Sequence, residues 1–495
     1  MAGRLAILHG WSDTSASFQP LRDWLGAHGH PTTDIWLGDY ISLDDDVRVE
    51  DVAKRMKVVI DGLMSDGTLA PSFDLIVHST GALVAREWMT TCYPDGGGCP
   101  VKRLVMLAPA NFGSRLAAIG KSMIGRLVKG ITNRLETGQE MLNALELASP
   151  YQWNLTRRDL LQPPEQARAG ETAVSPFGGG QVWPFVIIGT RAYDTGLQQI
   201  VNEDGSDGTV RVPAGNLNVV GMTLDFSRPN PAGGPEIRAW PSRTGDLKIP
   251  LAVLPERDHG EVTHPETNGR AGAVTGARLG QLILQALGCA SPADYAAIHQ
   301  DWEAITTATG ALGDFDSEDD PAYQAARNAV FEGQDNPGPE HFHRYLQLIV
   351  KVTDDYGNLV KDYFLEFSDP GTKSSQSRDR TVITFHKDVL EDVHNNSTSS
   401  AYRCLFVDHT DLMKIFYDQN AALAVAISAA PPGRNVKYFD SAKEMALGRV
   451  ELHAENLQAR EALTQTRIFR NQTHFIEVII PRRPIDKVFR LSQPG

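Results

Sequence analysis

The chain has 495 residues, 41% of them hydrophobic and 22% charged, an ordinary globular composition with length for roughly two to four domains. Its net charge of −14 argues against a general affinity for nucleic acid, which needs a basic surface. The four cysteines (Cys92, Cys99, Cys289 and Cys404) are scattered and form no C-x-x-C pair, so neither a zinc site nor a disulfide framework is expected.

The opening "MAGRLAILHGW" contains only a short apolar run, too short for the core of a cleaved signal. No segment approaches the ~18 consecutive apolar residues of a membrane-spanning helix. From residue 4 to about 290 the sequence alternates. "RLAILHG" (4–10), "TDIWLGD" (33–39), "DLIVHS" (74–79), "KRLVMLAP" (102–109), "PFVIIGT" (184–190) and "IPLAVL" (249–254) are continuous apolar strands. Residues 49–64, 81–89 and 275–287 have apolar residues at helical spacing. Strands apolar on both faces and separated by helices imply a mostly parallel sheet with helices on both sides.

At one strand-to-helix joint lies Val77-His78-Ser79-Thr80-Gly81. A nucleophilic serine in that place usually reads G-x-S-x-G; here the second glycine is present and the first is a valine. Alone, such a serine is as readily the N-cap of an ordinary helix. Its company shifts the reading. Upstream, His9-Gly10 follows a strand, as an oxyanion loop does, and the backbone amides of Trp11 and Thr80 are the expected donors. Downstream, Asp207 sits in a Ser-Asp-Gly-Thr-Val turn after strand 184–190, with Asp204 as its competitor. His259 follows strand 249–254, with His264 as its competitor. The order Ser, Asp, His suits acyl transfer to water through an acyl-enzyme. In that reading Ser79 is the nucleophile, His259 the base and then acid, and Asp207 the orienting carboxylate. His78 and Gly81 complete the elbow. No metal or cofactor is expected.

Between strands 102–109 and 184–190 lies a long insertion, about 111–183, expected to be a helical lid. Its first part, from 112 to 135, lacks any acidic residue. Leu116, Ile119, Met123 and Leu127 fall on one half of a helical wheel, and Arg115, Lys121, Arg126 and Lys129 on the other. A basic amphipathic helix suits an anionic lipid surface, although a cap covering the active site would show the same apolar stripe.

Residues 301–340 are acidic and rich in Gly, Pro and Asp, read as a linker with room for one helix. From 341 to 495 the segments are short and β-branched or aromatic, including 344–354, 358–369, 380–386, 402–408, 421–430, 449–454 and 473–481. Asp355-Tyr356-Gly357-Asn358 reads as a hairpin turn. The expectation is a mainly antiparallel, β-sandwich-like domain.

The His-Ser-Thr-Gly elbow, "APANFGS" (108–114), the S-D-G-T-V acid, the D-H-G-x-V histidine and the β-rich C-terminal half together resemble the PlaB-type bacterial phospholipase A/lysophospholipase A. The resemblance implies an α/β-hydrolase domain over about 1–300 followed by the C-terminal domain, and it places the triad on Ser79, Asp207 and His259. It also implies hydrolysis of glycerophospholipids and lysophospholipids, peripheral membrane association, and homo-oligomers held partly by the C-terminal domain. Two rival functions remain: a general carboxylic-ester hydrolase (lipase, esterase or thioesterase), and a non-enzymatic scaffold on a hydrolase fold.

Overall fold

The computed structural model describes residues 3–11, 13–119, 138–193, 202–229, 234–267, 278–330, 337–369, 375–417, 422–438, 450–454 and 467–491. These form two compact units, residues 1–162, 172–219 and 242–345 in the first, and 163–171, 220–241 and 346–495 in the second.

The first unit is built on six parallel strands: β1 (Gly3–Leu8), β2 (Ile35–Gly38), β3 (Leu69–His78), β4 (Val101–Leu107), β5 (Trp183–Gly189) and β8 (Leu251–Leu254), in the order β2-β1-β3-β4-β5-β8. The intervening β6 (Val220–Pro229) and β7 (Pro235–Ala239) belong to the second unit. Parallel pairing needs long crossovers, and the helices that supply them bury both sheet faces. On one face Leu5, Ile7, Ile76, Val105 and Ile187 pack with α1 (Gln19–Ala27) and with the helices Arg278–Gly288 and Pro292–Ala311. The alternate residues of the strands point the other way, toward α2 (Val49–Ser65) and α3 (Gly81–Cys92). This is the parallel, helix-covered sheet expected from the apolar runs, and it agrees with the α/β-hydrolase architecture that the resemblance implies.

The segment 301–340 is not a bare linker. Helix Pro292–Ala311 runs through its start, and Thr306 and Thr309 donate their hydroxyls to the carbonyls of Leu251 and Val253 at 2.8 Å. Helix Pro321–Val330 follows, and its Tyr323 packs with Leu312 and Phe342 in a small cluster of its own. The acidic composition marks the solvent side of these helices and hides their buried side.

The second unit has a six-stranded sheet in the order β11-β12-β9-β17-β6-β7 and a four-stranded sheet in the order β10-β13-β15-β16. Here β9 is Tyr345–Asp354, β10 Tyr363–Ser368, β11 Leu390–Asn395, β12 Tyr402–Asp408, β13 Ala422–Ala429, β14 Val436–Tyr438, β15 Val450–Ala454, β16 Arg467–Ile468, β17 Thr473–Ile480 and β18 Arg482–Pro484. One apolar core draws on both sheets, with Leu224, Val350 and Val478 from the first and Phe367, Leu423 and Ile427 from the second. Pairing is antiparallel at β10–β13, β13–β15 and β11–β12, but β17 is parallel to both of its neighbours, β9 and β6, so the large sheet is mixed.

Three local features differ from, or add to, what the sequence leads one to expect. Residues 380–386 are helical, within Ser375–Asp388. The β-branched run misleads there because Phe385 and Val389 are buried at helical spacing while Ile383, two residues before Phe385, is 62% exposed. The turn at 355–358 forms, with Asn358 bonded to Asp354, but after a short ladder the chain crosses to the other sheet. The β6–β7 pair was not anticipated, although Met222, Leu224 and Phe226 alternate as a half-buried strand should.

Candidate active site

The joint between β3 and α3 is sharp. Ser79 has φ of 53°, a left-handed conformation that a non-glycine residue adopts at a cost and that lifts its side chain off the strand. The turn is pinned by Ser79 N–H donating to Leu107 O at 3.0 Å and by Ala82 and Ala110 N–H donating to Ser79 O. A Cβ on Gly81 would come within 2.8 Å of His9 O and 3.1 Å of Leu8 O, so helix and strand approach as closely as glycine permits. A Cβ on Gly10 would meet the Ser79 Cβ at 2.7 Å. Val77 is fully buried, in register with Leu8 and Met106, as an ordinary strand residue. Gly10 and Gly81 take the two close approaches; the missing first glycine is not needed.

Three side chains chosen from the sequence meet here. His259 Nε2 lies 3.1 Å from Ser79 Oγ, and His259 Nδ1 lies 2.9 Å from Asp207 Oδ2. The other oxygen of Asp207, Oδ1, accepts the backbone N–H groups of Thr209 at 2.9 Å and Val210 at 2.7 Å. An acceptor-only carboxylate at this place makes Nδ1 the protonated nitrogen and leaves the Nε2 lone pair for the serine hydroxyl. A backbone bond from His259 N to Asp207 O at 2.9 Å ties the two loops together. The competitors are engaged elsewhere: Asp204 pairs with His341, and His264 Nδ1 sits 3.0 Å from Thr263 Oγ1.

The supports of these loops were mostly hidden from sequence reasoning. Arg211 and Glu203 form an ion pair at 2.7 Å across the acid turn, and Ser114 Oγ donates to Thr209 O at 2.8 Å. Buried Arg257 donates to the carbonyls of Glu261, His264 and Thr267, gathering the loop beyond His259. Asp258 accepts the N–H groups of Gly260 and Glu261, and burial followed by the Glu261 charge raises its pKa. Arg86 of α3 makes two bonds, at 2.9 and 3.1 Å, to Asp159 of helix Pro150–Asp159, both side chains fully buried. No sequence period marks such pairs.

His78 plays a defined part. Its Nε2–H donates to the backbone carbonyl of His259 at 2.9 Å, and the two rings lie 4.8 Å apart. Burial, and then the charge of His259, pushes its pKa down to about 3, so it is neutral at working pH. His9 is equally ordered. Nδ1–H donates to Gly10 O at 2.7 Å, Nε2 accepts Tyr40 N–H at 3.1 Å, and the ring stacks on Tyr40 at 4.4 Å. Thr80 is the N-cap of α3.

The lid reading meets only part of the chain. Leu116 and Ile119 are half-buried at the short helix Arg115–Ala118; Lys121, Met123, Arg126, Leu127 and Lys129 lie outside the described residues. Arg115, grouped with the basic face, instead turns inward: it donates to Asn202 O at 2.8 Å and lies 3.8 Å from Glu203. Among the described residues no helix is long and apolar enough to cross a membrane.

No protein-family model and no curated protein matches the sequence. Solved structures do match. Phospholipase PlaB from Legionella pneumophila superposes with a TM-score of 0.76 at 23% identity, covering 100% of this chain and 98% of that one. The same phospholipase in complex with thio-NAD gives a TM-score of 0.74 at 24% identity, covering 100% and 97%. Along its whole length, then, the chain has the fold of phospholipase PlaB, as its motifs led one to expect.

Proposed function

We propose that the protein is a serine hydrolase that cleaves fatty-acyl esters of glycerophospholipids and lysophospholipids. The observation that carries the chemistry is the continuous line Asp207–His259–Ser79, at 2.9 and 3.1 Å. Ser79 Oγ attacks the ester carbonyl while His259 Nε2 takes its proton. The protonated imidazole, held by Asp207, returns the proton to the departing alcohol, and water then repeats the cycle on the acyl-enzyme.

Charge developing on the carbonyl oxygen needs donors already in place. Thr80 N–H stands at the start of α3, where the helix leaves amides without intrahelical partners. Trp11 N–H is aimed indirectly. His9 Nδ1 holds the Gly10 carbonyl, and in a planar trans peptide the following N–H points the opposite way.

The substrate class is supported by the motifs shared with PlaB-type enzymes and by the common fold with a phospholipase. On the same footing, the basic segment beginning near residue 115 contacts membrane lipid, and residues 341–495 contribute to homo-oligomers. The test is fatty-acid release from phosphatidylglycerol, phosphatidylcholine, their lyso forms and tributyrin, with Ser79→Ala as control. Release from phospholipid and lysophospholipid, abolished in the variant, is expected. Activity on tributyrin alone would leave a general ester hydrolase and defeat the phospholipase reading.

A further inference from the structure

A large apolar cavity lies beneath α2, and none of Ser79, Asp207 and His259 lines it. Its volume is about 640 Å³, within the roughly 300–1,000 Å³ of small-molecule sites. The residues explain why it exists. Ala6 pairs with Trp36 and Leu8 with Gly38, so on this face β1 and β2 present two residues too small to reach the helix. Ala6, in a strand flanked on both sides, is still partly accessible. From above, α2 turns Val52, Met56, Ile60 and Leu63 toward the same space. Two apolar faces thus stand apart across this space. A cavity between such walls suits an apolar occupant better than water.

The shape and polarity point to one kind of occupant. The lining follows α2 from Val52 to Leu63, roughly 16 Å at about 1.5 Å per residue. That is a long, apolar slot. Its mouth is marked by Trp36, Ile41 and Val59, which are 40%, 66% and 41% exposed. Arg55 supplies the positive charge among the lining residues. The lining carboxylates are engaged, Asp39 by Ser15 and Asp51 by Lys54. Tyr40 also lines the slot and stacks on His9, whose neighbour Gly10 abuts Ser79.

We propose that this cavity binds a long alkyl chain, its methylenes along α2; a free fatty acid held there turns its carboxylate toward Arg55, whereas the acyl group of an ester reacting at Ser79 keeps its carbonyl at the serine and sends only its tail into the slot. The chain comes from one of two sources: the acyl group of an ester reacting at Ser79, or a free fatty acid held independently of the serine.

Binding is measured on the full-length protein with the fluorescent fatty acid cis-parinaric acid, which needs no turnover and so is independent of the hydrolase reading. Wild type and Ser79→Ala are expected to bind saturably. Saturated fatty acids should compete, each added methylene tightening binding by up to about fourfold while it is still being buried. Ala6→Leu fills the slot and is expected to weaken binding at least about tenfold, the worth of the methylenes it displaces. Because a leucine at position 6 also alters the packing of β1, Arg55→Glu on the exposed helix surface is measured beside it. It should weaken fatty acids but not fatty alcohols of the same length. Absence of saturable binding in wild type, or undiminished binding of fatty acids in both variants, overturns the proposal. Prior reaction of Ser79 with a hexadecyl fluorophosphonate separates the sources. Loss of the probe assigns the slot to the reacting acyl chain, retention assigns it to free fatty acid, and either upholds an alkyl-chain site.

Discussion

Replacing Asp207 by Asn separates the orientation of His259 from its mere presence. The asparagine is isosteric, but its two ends differ. The end occupied by Oδ1 accepts two backbone N–H groups, from Thr209 and Val210. The amide oxygen must take that end, because an NH2 group there would face two donors and leave buried groups unpaired, at about 1–3 kcal/mol each. The NH2 group then faces His259 Nδ1, which must accept, so the ring carries its proton on Nε2 and offers Ser79 no lone pair. The backbone bond from His259 to Asp207 O is untouched, so the fold should hold. The expected loss is about 10⁴-fold in kcat/KM, the cost of the wrong tautomer in a triad of this kind, or about 5.4 kcal/mol. The assay is hydrolysis of a lysophospholipid, with circular dichroism to confirm folding. A folded Asp207→Asn enzyme within tenfold of wild type would refute the reasoning.

Gly81→Ala places a methyl within 2.8 Å of the His9 carbonyl and should cost about 1–3 kcal/mol of stability and most of the activity; an active variant with an unchanged melting temperature would contradict the close approach. Asp159→Ala leaves Arg86 buried without its carboxylate and should destabilise by about 3–5 kcal/mol, while Arg86→Met with Asp159→Leu recovers much of that in denaturant melts. His78 and His474 are buried, and burial depresses their pKa values to about 3 and about 4 from 6.5. Below 6.5 the unfolded chain binds protons that the folded chain refuses. Their share of stability is therefore complete above 6.5 and falls by up to about 1.4 kcal/mol per pH unit for each as pH drops toward those values. Melting at stepped pH checks this, and His474→Gln should flatten the slope.

The six parallel strands were readable because each contains a continuous apolar run, as strands of a sheet covered on both faces do. The site was readable because its chemistry recurs at strand ends in a fixed order: Ser79 after β3, Asp207 after β5, His259 after β8. What escaped depended on tertiary partners. The helix at 375–388 carries a β-branched surface, and only the burial of Phe385 and Val389 reveals its period. Residues 220–239 alternate clearly, but an interval inside the hydrolase half gives no hint that its strand pairs with β17, more than two hundred positions later. Arg115 looked like part of a basic face until Glu203 and Asn202 came beside it. Arg257 and the Arg86–Asp159 pair have no sequence signature, since a buried charge is defined by what surrounds it. The cavity under α2 arises from two small residues, Ala6 and Gly38, which come onto one face of the sheet only once β1 and β2 are paired.

The central claim is that Ser79 is a nucleophile activated by His259. Its most direct measurement is reaction of the intact protein with a fluorophosphonate, followed by mass spectrometry of the intact and digested chain. One adduct per chain, located on Ser79, absent in Ser79→Ala and strongly slowed in His259→Ala, is the result this structure predicts. An unmodified wild type, or an adduct that persists in Ser79→Ala, would contradict it.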